Sequence, residues 1–373
     1  MRKQPRYLQK PVEADLAKKM VFVGGPRQVG KTTMALKILG KNKHGYLNWD
    51  VPEDRERILK REFPDSPIWV FDEIHKYKHW RNLLKGLFDA HGKHRRILVT
   101  GSAMLDYYRR GGESLQGRYY YLRMHPLSVA ELGLKTAKDF SELSLRGGFP
   151  EPYFSASEIE AKRWSRDYRT RLVQEDLRPL EKIEDLGHLE LLMIRLPDLV
   201  GSPLSINALR EDLQVSHKSV SNWLKVLERL YAIFRLAPFG ASKLRAVKKE
   251  QKHYQYDWTL VDKPGARFEN LVASHLLKWA HWQQDTLGRE VGLSYFRDID
   301  RREVDFIVTE KNRPIQAIEC KWEDAEIDPG LRYFKAKFPD CEAWQISGVG
   351  TQDYVSRENI RVAPALKLLQ KLA

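Results

Sequence analysis

The chain has 373 residues, with 64 Lys or Arg against 50 Asp or Glu, so its formal net charge is +14. This length predicts two or three domains, and the positive charge favours an anionic partner, with nucleic acid ahead of a membrane surface. Because there are only two cysteines, the sequence excludes a disulfide framework and a thiolate metal cluster, as is typical of a reducing compartment.

Short apolar runs alternate with helical patterns through residues 1–150, which we predict to be the first domain. The basic N-terminus is not followed by an apolar core, so it is not a signal peptide. No run approaches the ~18 apolar residues that span a bilayer, and we expect a cytoplasmic protein without a membrane partner. The runs at 20–24, 67–71 and 96–100 predict strands of a parallel sheet covered by helices.

A glycine-rich loop follows the first predicted strand, with the spacing Gly25-x4-Gly30-Lys31-Thr32. Glycines let successive backbone N–H groups turn toward phosphates, and the next helix presents the positive end of its dipole to them. Lys31 would reach the β- and γ-phosphates, and the Thr32 hydroxyl would bind Mg²⁺. We therefore predict an ATP site whose nucleotide contacts are Gly25, Pro26, Arg27, Gln28, Val29, Gly30, Lys31, Thr32 and Thr33, joined by Asp72 and Ser102 from later strands.

Polar residues end the next two predicted strands. Asp72 would hold Mg²⁺ directly or through water, and Glu73 would orient the attacking water and take its proton. Ser102 would sense the γ-phosphate, with a helix cap as the alternative. Arg118 would stabilise transition-state charge in its own subunit or, in a homo-oligomer, across a subunit boundary; the alternative is a surface arginine at the start of a strand.

The histidine pairs His75-x3-His79 and His91-x2-His94 follow the second predicted strand. Neither pair has a third metal ligand at a suitable spacing. We expect them on solvated helix faces rather than in a zinc site.

Residues 151–260 are predicted to be a helical connector and a helix–turn–helix domain. Its second helix begins at Ser216 and carries side chains suited to phosphates and base edges, namely His217, Lys218, Ser219, Asn222 and Lys225. A basic stretch follows that would form a wing along a duplex, with Lys243, Arg245, Lys248, Lys249 and Lys252. The alternative is a winged helix used for protein contacts, with a solvated run of charge.

Residues 261–373 are predicted to be a third domain, of α/β type. Asp305 lies on one short strand, and Glu319 and Lys321 share a face of the next because they are two positions apart. An Asp followed by Glu-x-Lys is the PD-(D/E)xK nuclease pattern, in which carboxylates bind Mg²⁺ and the lysine stabilises hydroxide or phosphorane charge. The alternative is a strand edge decorated by charges of both signs.

The motifs GPRQVGKTT at 25–33, FDEIHK at 71–76, TGSA at 100–103, Gly117-Arg118 and GGFPE at 147–151 occur in this order. With them the chain resembles the prokaryotic AAA-type ATPases that carry a C-terminal DUF4143 domain; the segments at 178–180, 252–260 and 265–271 also fit. The resemblance implies an AAA+-class core, a winged-helix-like middle and a restriction-endonuclease-like C-terminus in which Glu269 completes the metal set. It departs at Thr100 and Ser102, where an AAA+ sensor would be Asn.

The expected fold class is thus α/β, with a P-loop parallel sheet, a winged-helix middle and a PD-(D/E)xK-like C-terminal domain. The main hypothesis is an ATP-hydrolysing, DNA-associated machine with a Mg²⁺-dependent nuclease-like domain. The alternatives are a nuclease-inactive switch or scaffold that binds nucleic acid or a protein partner, and a regulator acting through the winged helix. The catalytic candidates are Lys31, Glu73, Arg118, Glu319 and Lys321, and the metal ligands are Thr32, Asp72, Glu269, Asp305 and Glu319.

Overall fold

The computed structural model describes residues 5–101, 105, 115–155, 157–177, 185–240 and 250–372. They form two compact units, Met1–Pro126 with Asp285–Leu287, and Leu127–Gln284 with Gly288–Ala373. No helix within these ranges is both long and apolar enough to cross a membrane. Some predicted site residues lie outside the described residues, namely Ser102, Lys243, Arg245, Lys248 and Lys249.

The first unit is built on a five-stranded sheet in the order β2-β3-β4-β1-β5, with every neighbouring pair parallel. This confirms the predicted parallel sheet. The strands are β1 (Met20–Gly24), β2 (Tyr46–Asn48), β3 (Ile68–Asp72), β4 (Arg96–Thr100) and β5 (Tyr119–Arg123). The helices are α1 (Gln9–Asp15), α2 (Lys31–Leu39), α3 (Pro52–Lys60) and α4 (Trp80–His91).

Helices bury the strands of this sheet, as expected for a parallel arrangement. Every residue of β1 and β3 is buried. Helix α4 contributes an apolar stripe at helical spacing, Trp80, Leu83, Leu84 and Leu87, to the core that contains Phe22 and Phe71. The packed sheet is a rigid base for the loops at its carboxyl edge.

The second unit contains a three-stranded antiparallel sheet and a six-stranded mixed sheet. The small sheet has the order β6-β8-β7, from β6 (Pro203–Leu204), β7 (Ile233–Leu236) and β8 (Gln251–Gln255). The large sheet has the order β13-β14-β12-β11-β10-β9. Its strands are β9 (Val291–Arg297), β10 (Glu303–Glu310), β11 (Arg313–Lys321), β12 (Glu342–Ser347), β13 (Tyr354–Val355) and β14 (Ile360–Pro364).

Ten described α-helices follow β5 along the chain. They are α5 (Val129–Leu132), α6 (Ala137–Arg146), α7 (Pro150–Ser155), α8 (Glu158–Arg171), α9 (Leu186–Arg195), α10 (Ile206–Asp212), α11 (His217–Arg229), α12 (Pro264–Leu287), α13 (Pro329–Lys337) and α14 (Ala365–Leu369).

Helix α11 starts where the sequence predicts. The Ser216 hydroxyl accepts a hydrogen bond from the Ser219 backbone N–H at 3.0 Å, as an N-cap does. One side of the helix is buried, through Val220, Trp223, Leu224, Val226 and Leu227. The opposite side exposes Lys218, Asn222 and Lys225, so the helix offers cationic and amide groups to solvent.

His275 is buried in α12, and its contacts fix its protonation state. Its Nδ1 lies 2.8 Å from the Leu271 carbonyl oxygen, and its Nε2 accepts the Val129 N–H at 3.0 Å. The ring is therefore neutral, with its proton on Nδ1. Burial, aided by Lys278, lowers the pKa of His275 to about 4, against the opposing effects of the hydrogen bond with the Leu271 carbonyl and of Glu131.

We expect the second unit to lose stability in mild acid because of this histidine. The unfolded chain binds a proton near pH 6.5, whereas the folded chain does so only near pH 4, so the free energy of unfolding falls as the pH falls between these values. The full loss is about 3 kcal/mol. Urea denaturation at pH 7, 6 and 5 should give a shallower pH dependence for His275→Gln than for wild type, and equal slopes would contradict the prediction.

Candidate functional site

The predicted phosphate-binding loop, or P-loop, comprises residues 25–32. It lies at the carboxyl end of β1, where parallel α/β sheets place their ligands. Its backbone has positive φ at Gly25 (138°), Gln28 (57°) and Gly30 (100°). A Cβ on Gly25 would lie 2.3 Å from the Met124 carbonyl oxygen, so only glycine fits there. Gly30 is the N-cap residue of α2, whose first residue is Lys31.

The Lys31 side chain turns into this loop. Its Nζ donates hydrogen bonds to the carbonyl oxygens of Gly25, at 3.0 Å, and Pro26, at 2.5 Å, and the residue is buried. The Val29 carbonyl accepts a hydrogen bond from Arg6, which also reaches the His125 carbonyl oxygen at 2.6 Å. Sequence reasoning missed Arg6, because a lone basic residue before α1 carries no motif.

Asp72, at the end of β3, accepts hydrogen bonds from three hydroxyl groups. Thr32 Oγ1 lies 2.8 Å and Tyr46 Oη 2.6 Å from Asp72 Oδ2, and Thr100 Oγ1 lies 2.7 Å from Oδ1. Strand register explains two of these contacts. Asp72 pairs with Thr100 of β4 on one side and with Asn48 of β2 on the other. Tyr46 is two residues before Asn48, so its side chain is on the same face of β2 as that of Asn48. Burial, followed by the hydrogen bond to Asp72, raises the pKa of Tyr46.

The Thr32–Asp72 contact suits Mg²⁺, which prefers hard oxygen ligands and is held in proteins through few carboxylates. A hydroxyl and a carboxylate oxygen meet here beside the loop that carries Lys31. The structure thus brings together the predicted Lys31, Thr32 and Asp72. Tyr46 is an additional residue that the sequence did not indicate.

Glu73 directly follows this carboxylate and adopts positive φ (55°). Its N–H donates to the Thr100 carbonyl at 3.0 Å, which fixes the turn. Burial raises the pKa of Glu73, while Lys76 lowers it, and a raised pKa suits a general base working near neutral pH. Its Oε2 lies 3.6 Å from His75 Nε2 and 3.6 Å from Lys76 Nζ.

The expectation of a solvated His75 was wrong. The residue lies in the 3-10 turn Ile74–Lys76 and is buried. Burial lowers the pKa of His75 to about 3, so it is neutral beside Glu73. The histidine spacing suggested an exposed helix face, whereas a tight turn after β3 directs the side chain inward.

Arg118 does not face the P-loop of its own chain, contrary to one of its predicted roles. It immediately precedes β5, and β5 runs parallel to β1, so Arg118 is at the edge of the sheet opposite the loop that follows β1. Its carbonyl accepts the Met20 N–H at 3.1 Å. Its guanidinium pairs with Asp89 at 2.8 and 3.2 Å.

In the second unit, the predicted carboxylate cluster assembles around β10 and β11. The Asp305 N–H donates to Glu319 Oε2 at 3.2 Å, and the Cys320 N–H donates to Asp305 Oδ2 at 3.0 Å. Lys321 Nζ lies 2.9 Å from Glu319 Oε1 and 2.8 Å from Asp328 Oδ2. Glu269, Asp305, Glu319 and Lys321 therefore belong to one linked network, which Glu269 joins through Lys252.

Lys252 lies among these carboxylates rather than on a basic wing, so its predicted position was wrong. Its Nζ lies 2.6 Å from Glu303 Oε1, 3.1 Å from Asp305 Oδ1 and 3.4 Å from Glu269 Oε1. Burial lowers the pKa of Lys252, but the three carboxylates outweigh it and the net pKa is raised. Burial raises the pKa of Glu269 to about 8 and that of Glu319 well above its usual value.

This cluster does not fit a Mg²⁺ site, because an ammonium group already lies where its carboxylate oxygens converge. Among the described residues, no group of three or more His, Cys, Asp or Glu side chains is arranged to hold a metal ion. The predicted ligands Glu269, Asp305 and Glu319 are close together but already engaged with lysines and backbone N–H groups. The cluster therefore offers no support for a metal-dependent step.

Three family patterns match successive parts of the chain. Residues 17–133 match the family described as AAA domain. Residues 137–263 match a domain of unknown function, DUF8612, and residues 264–368 match another, DUF4143.

The curated relatives include Uncharacterized protein Rv2008c of Mycobacterium tuberculosis, which is 26% identical over 246 residues, 65% of this chain and 55% of the relative. Uncharacterized protein MJ1637 of Methanocaldococcus jannaschii is 22% identical over 288 residues, 63% of this chain and 60% of the relative. The chain thus spans little more than half the length of these relatives.

Similar solved structures include the Aeropyrum pernix ORC1 protein in complex with DNA, with 16% identity and a TM-score of 0.33 over 72% of this chain and 91% of that one. A point variant of Thermotoga maritima RuvB has 17% identity and a TM-score of 0.29 over 61% of this chain and 88% of that one. Residues 17–133, which match the AAA domain family, contain the parallel sheet and the glycine-rich loop, and residues 264–368, which match DUF4143, contain the mixed sheet.

Proposed function

We propose that the first unit binds ATP with Mg²⁺ and hydrolyses it. The observation that carries this proposal is the convergence of Lys31, Thr32 and Asp72 at one edge of the parallel sheet. The loop N–H groups and Lys31 would bind the phosphates, and Thr32 and Asp72 would hold Mg²⁺, which neutralises charge on the phosphate oxygens. Glu73 would orient the attacking water and accept its proton.

The test is phosphate release from ATP by the purified chain, with and without Mg²⁺. We expect release that stops when Mg²⁺ is chelated and returns when it is restored. ATP binding without any phosphate release would support a nucleotide-dependent switch instead. Release that is insensitive to chelation would contradict the roles given to Thr32 and Asp72.

Arg118 can contribute to this reaction only on a neighbouring subunit. In its own subunit it lies at the amino end of the parallel strands, whereas the P-loop lies at their carboxyl end. We therefore propose that Arg118 acts across a subunit boundary in a homo-oligomer. In that case the specific ATPase activity would rise with protein concentration in wild type and not in Arg118→Ala.

A second proposed function is contact with duplex DNA through α11. The observation that favours it is the exposed row of Lys218, Asn222 and Lys225 on a helix–turn–helix. One strand of the small antiparallel sheet precedes these two helices and the other two strands follow them, which is a winged-helix-like arrangement. The three residues are four and three positions apart within α11, so their side chains lie along a single face of the helix. The net charge of +14 supports an anionic partner.

Reversing both charges, Lys218→Glu with Lys225→Glu, should weaken binding to duplex DNA and reduce the salt dependence of binding by about two units of slope, because two phosphate contacts are lost. Fluorescence anisotropy of a labelled duplex at several salt concentrations measures both effects. The matched control reverses two exposed charges on α8, Lys162→Glu with Arg163→Glu. An equal loss in both variants would indicate a net-charge effect and contradict a DNA-binding face on α11.

A further inference from the structure

We propose that Lys252 is the permanent cation of the carboxylate cluster, so that the C-terminal domain of this chain takes an ammonium group where a nuclease-like site would take a divalent metal ion. The cluster then joins two parts of the second unit rather than cutting phosphodiesters. This inference is independent of the proposed ATPase, whose residues lie in the first unit.

The number and origin of the contacts of Lys252 support an ammonium group in place of a metal ion. An ammonium group has three N–H donors, and Lys252 Nζ meets one oxygen from each of three carboxylates, those of Glu269, Glu303 and Asp305. These carboxylates come from α12 and β10, which are the elements that supply the predicted metal ligands Glu269 and Asp305. Carboxylate oxygens are also the ligands that a divalent cation prefers, so such a cation could take this position only if the ammonium group left and the three side chains closed in around it.

Several other oxygens of the cluster are also engaged. Asp305 Oδ2 accepts the Cys320 N–H, and Glu319 accepts from the Asp305 N–H and from Lys321. Glu269 Oε1 accepts a second hydrogen bond, from the Tyr254 hydroxyl at 2.8 Å. A metal ion would therefore have to displace several internal partners as well as the ammonium group.

Lys252 cannot easily move aside, because its backbone is held in the middle of a sheet. It lies in β8, where it pairs with Pro203 of β6 on one side and Leu236 of β7 on the other. Its side chain is only 1% exposed. The ammonium group is therefore closed off from solvent where it lies, and moving it out would mean breaking its contacts with all three carboxylates.

This placement gives the cluster a positioning role. Lys252 belongs to the small sheet whose strands flank α10 and α11 in the chain, whereas its carboxylate partners belong to α12 and to the large mixed sheet. The ion pairs thus fix the helix–turn–helix region against the C-terminal domain. Tyr254 makes a parallel connection from the same strand to Glu269.

The first experiment measures Mn²⁺ binding to nucleotide-free protein by electron paramagnetic resonance of the free ion. We expect wild type and Asp305→Asn to bind Mn²⁺ identically, because no divalent site exists at Asp305. Wild-type binding that Asp305→Asn weakens tenfold or more would overturn the proposal. This comparison does not depend on the folding of any Lys252 variant.

The second experiment creates the missing site. Lys252→Ala leaves three carboxylates without their cation, so this variant should gain at least tenfold in Mn²⁺ affinity over wild type, and Mn²⁺ should raise its thermal midpoint. The control is Lys335→Ala, which removes another buried lysine, whose Nζ donates to the Pro339 and Cys341 carbonyl oxygens at 2.7 and 2.8 Å. A folded Lys252→Ala protein, verified by circular dichroism, with no gain over this control would overturn the proposal.

Discussion

Lys31→Ala should abolish measurable ATP binding at nucleotide concentrations that saturate wild type. Lys31 is buried at the start of α2 and directs its ammonium group into the P-loop. Loss of two charge-assisted hydrogen bonds to phosphate, each about 1.5–3 kcal/mol, raises the Kd roughly 100-fold or more. Isothermal titration calorimetry with Mg²⁺·ATP measures the change directly.

The control for this variant is Lys41→Ala, an exposed position just beyond α2 that gives the same change in net charge. Its affinity for ATP should match that of wild type. Circular dichroism of Lys31→Ala separates lost binding from lost folding. A folded Lys31→Ala protein with wild-type affinity would show that the P-loop is not the nucleotide site.

Glu73→Gln should retain ATP binding and lose hydrolysis. The substitution keeps the size of the side chain but removes the carboxylate that would take the proton from water, and general-base catalysis is worth about 10²–10⁴-fold. The backbone tolerates glutamine at this position, since Gln28 and Gln214 adopt φ of 57° and 54° elsewhere in the chain, close to the 55° of Glu73. Steady-state phosphate release should give a kcat lowered by that factor.

The control for hydrolysis is Glu62→Gln, at an exposed position after α3. Its kcat and KM should equal those of wild type. If Glu73→Gln loses ATP affinity in proportion to its loss of turnover, Glu73 supports the shape of the site and is not the base. An unchanged kcat would assign the base to another group.

Sequence spacing was sufficient to locate the P-loop and the two acids at the end of β3, because both depend on local chemistry where a buried strand ends. Tyr46 was not predictable in the same way. It lies in a strand of only three residues, and its contact with Asp72 depends on β2 pairing with β3, which no local pattern records.

Lys252 and Arg118 were misplaced for related reasons. The sequence around a lysine at the end of a basic run looks the same whether its side chain faces solvent or a buried carboxylate. Here Lys252 lies in β8, which pairs with β6 and β7, and its side chain points inward. The sequence does not indicate at which end of the parallel strands Arg118 lies; this depends on β5 running parallel to β1. Non-local strand pairing was the missing information in each case.

The division into domains at residues 150 and 260 stays a prediction, as does the restriction-endonuclease-like fold of the C-terminal domain. The mixed sheet of the second unit establishes an α/β architecture there. Its strand order alone does not identify a catalytic activity, because function depends on the side chains at the site.

The three hydroxyl groups around Asp72 affect how this carboxylate can be studied. They come from α2, β2 and β4, so the aspartate side chain cross-links the secondary structure around it. Truncating it to alanine would leave Tyr46 and Thr100 without their acceptor and would loosen the sheet, whatever happens to phosphate chemistry. An inactive Asp72→Ala enzyme would consequently be uninformative unless its melting behaviour were also intact.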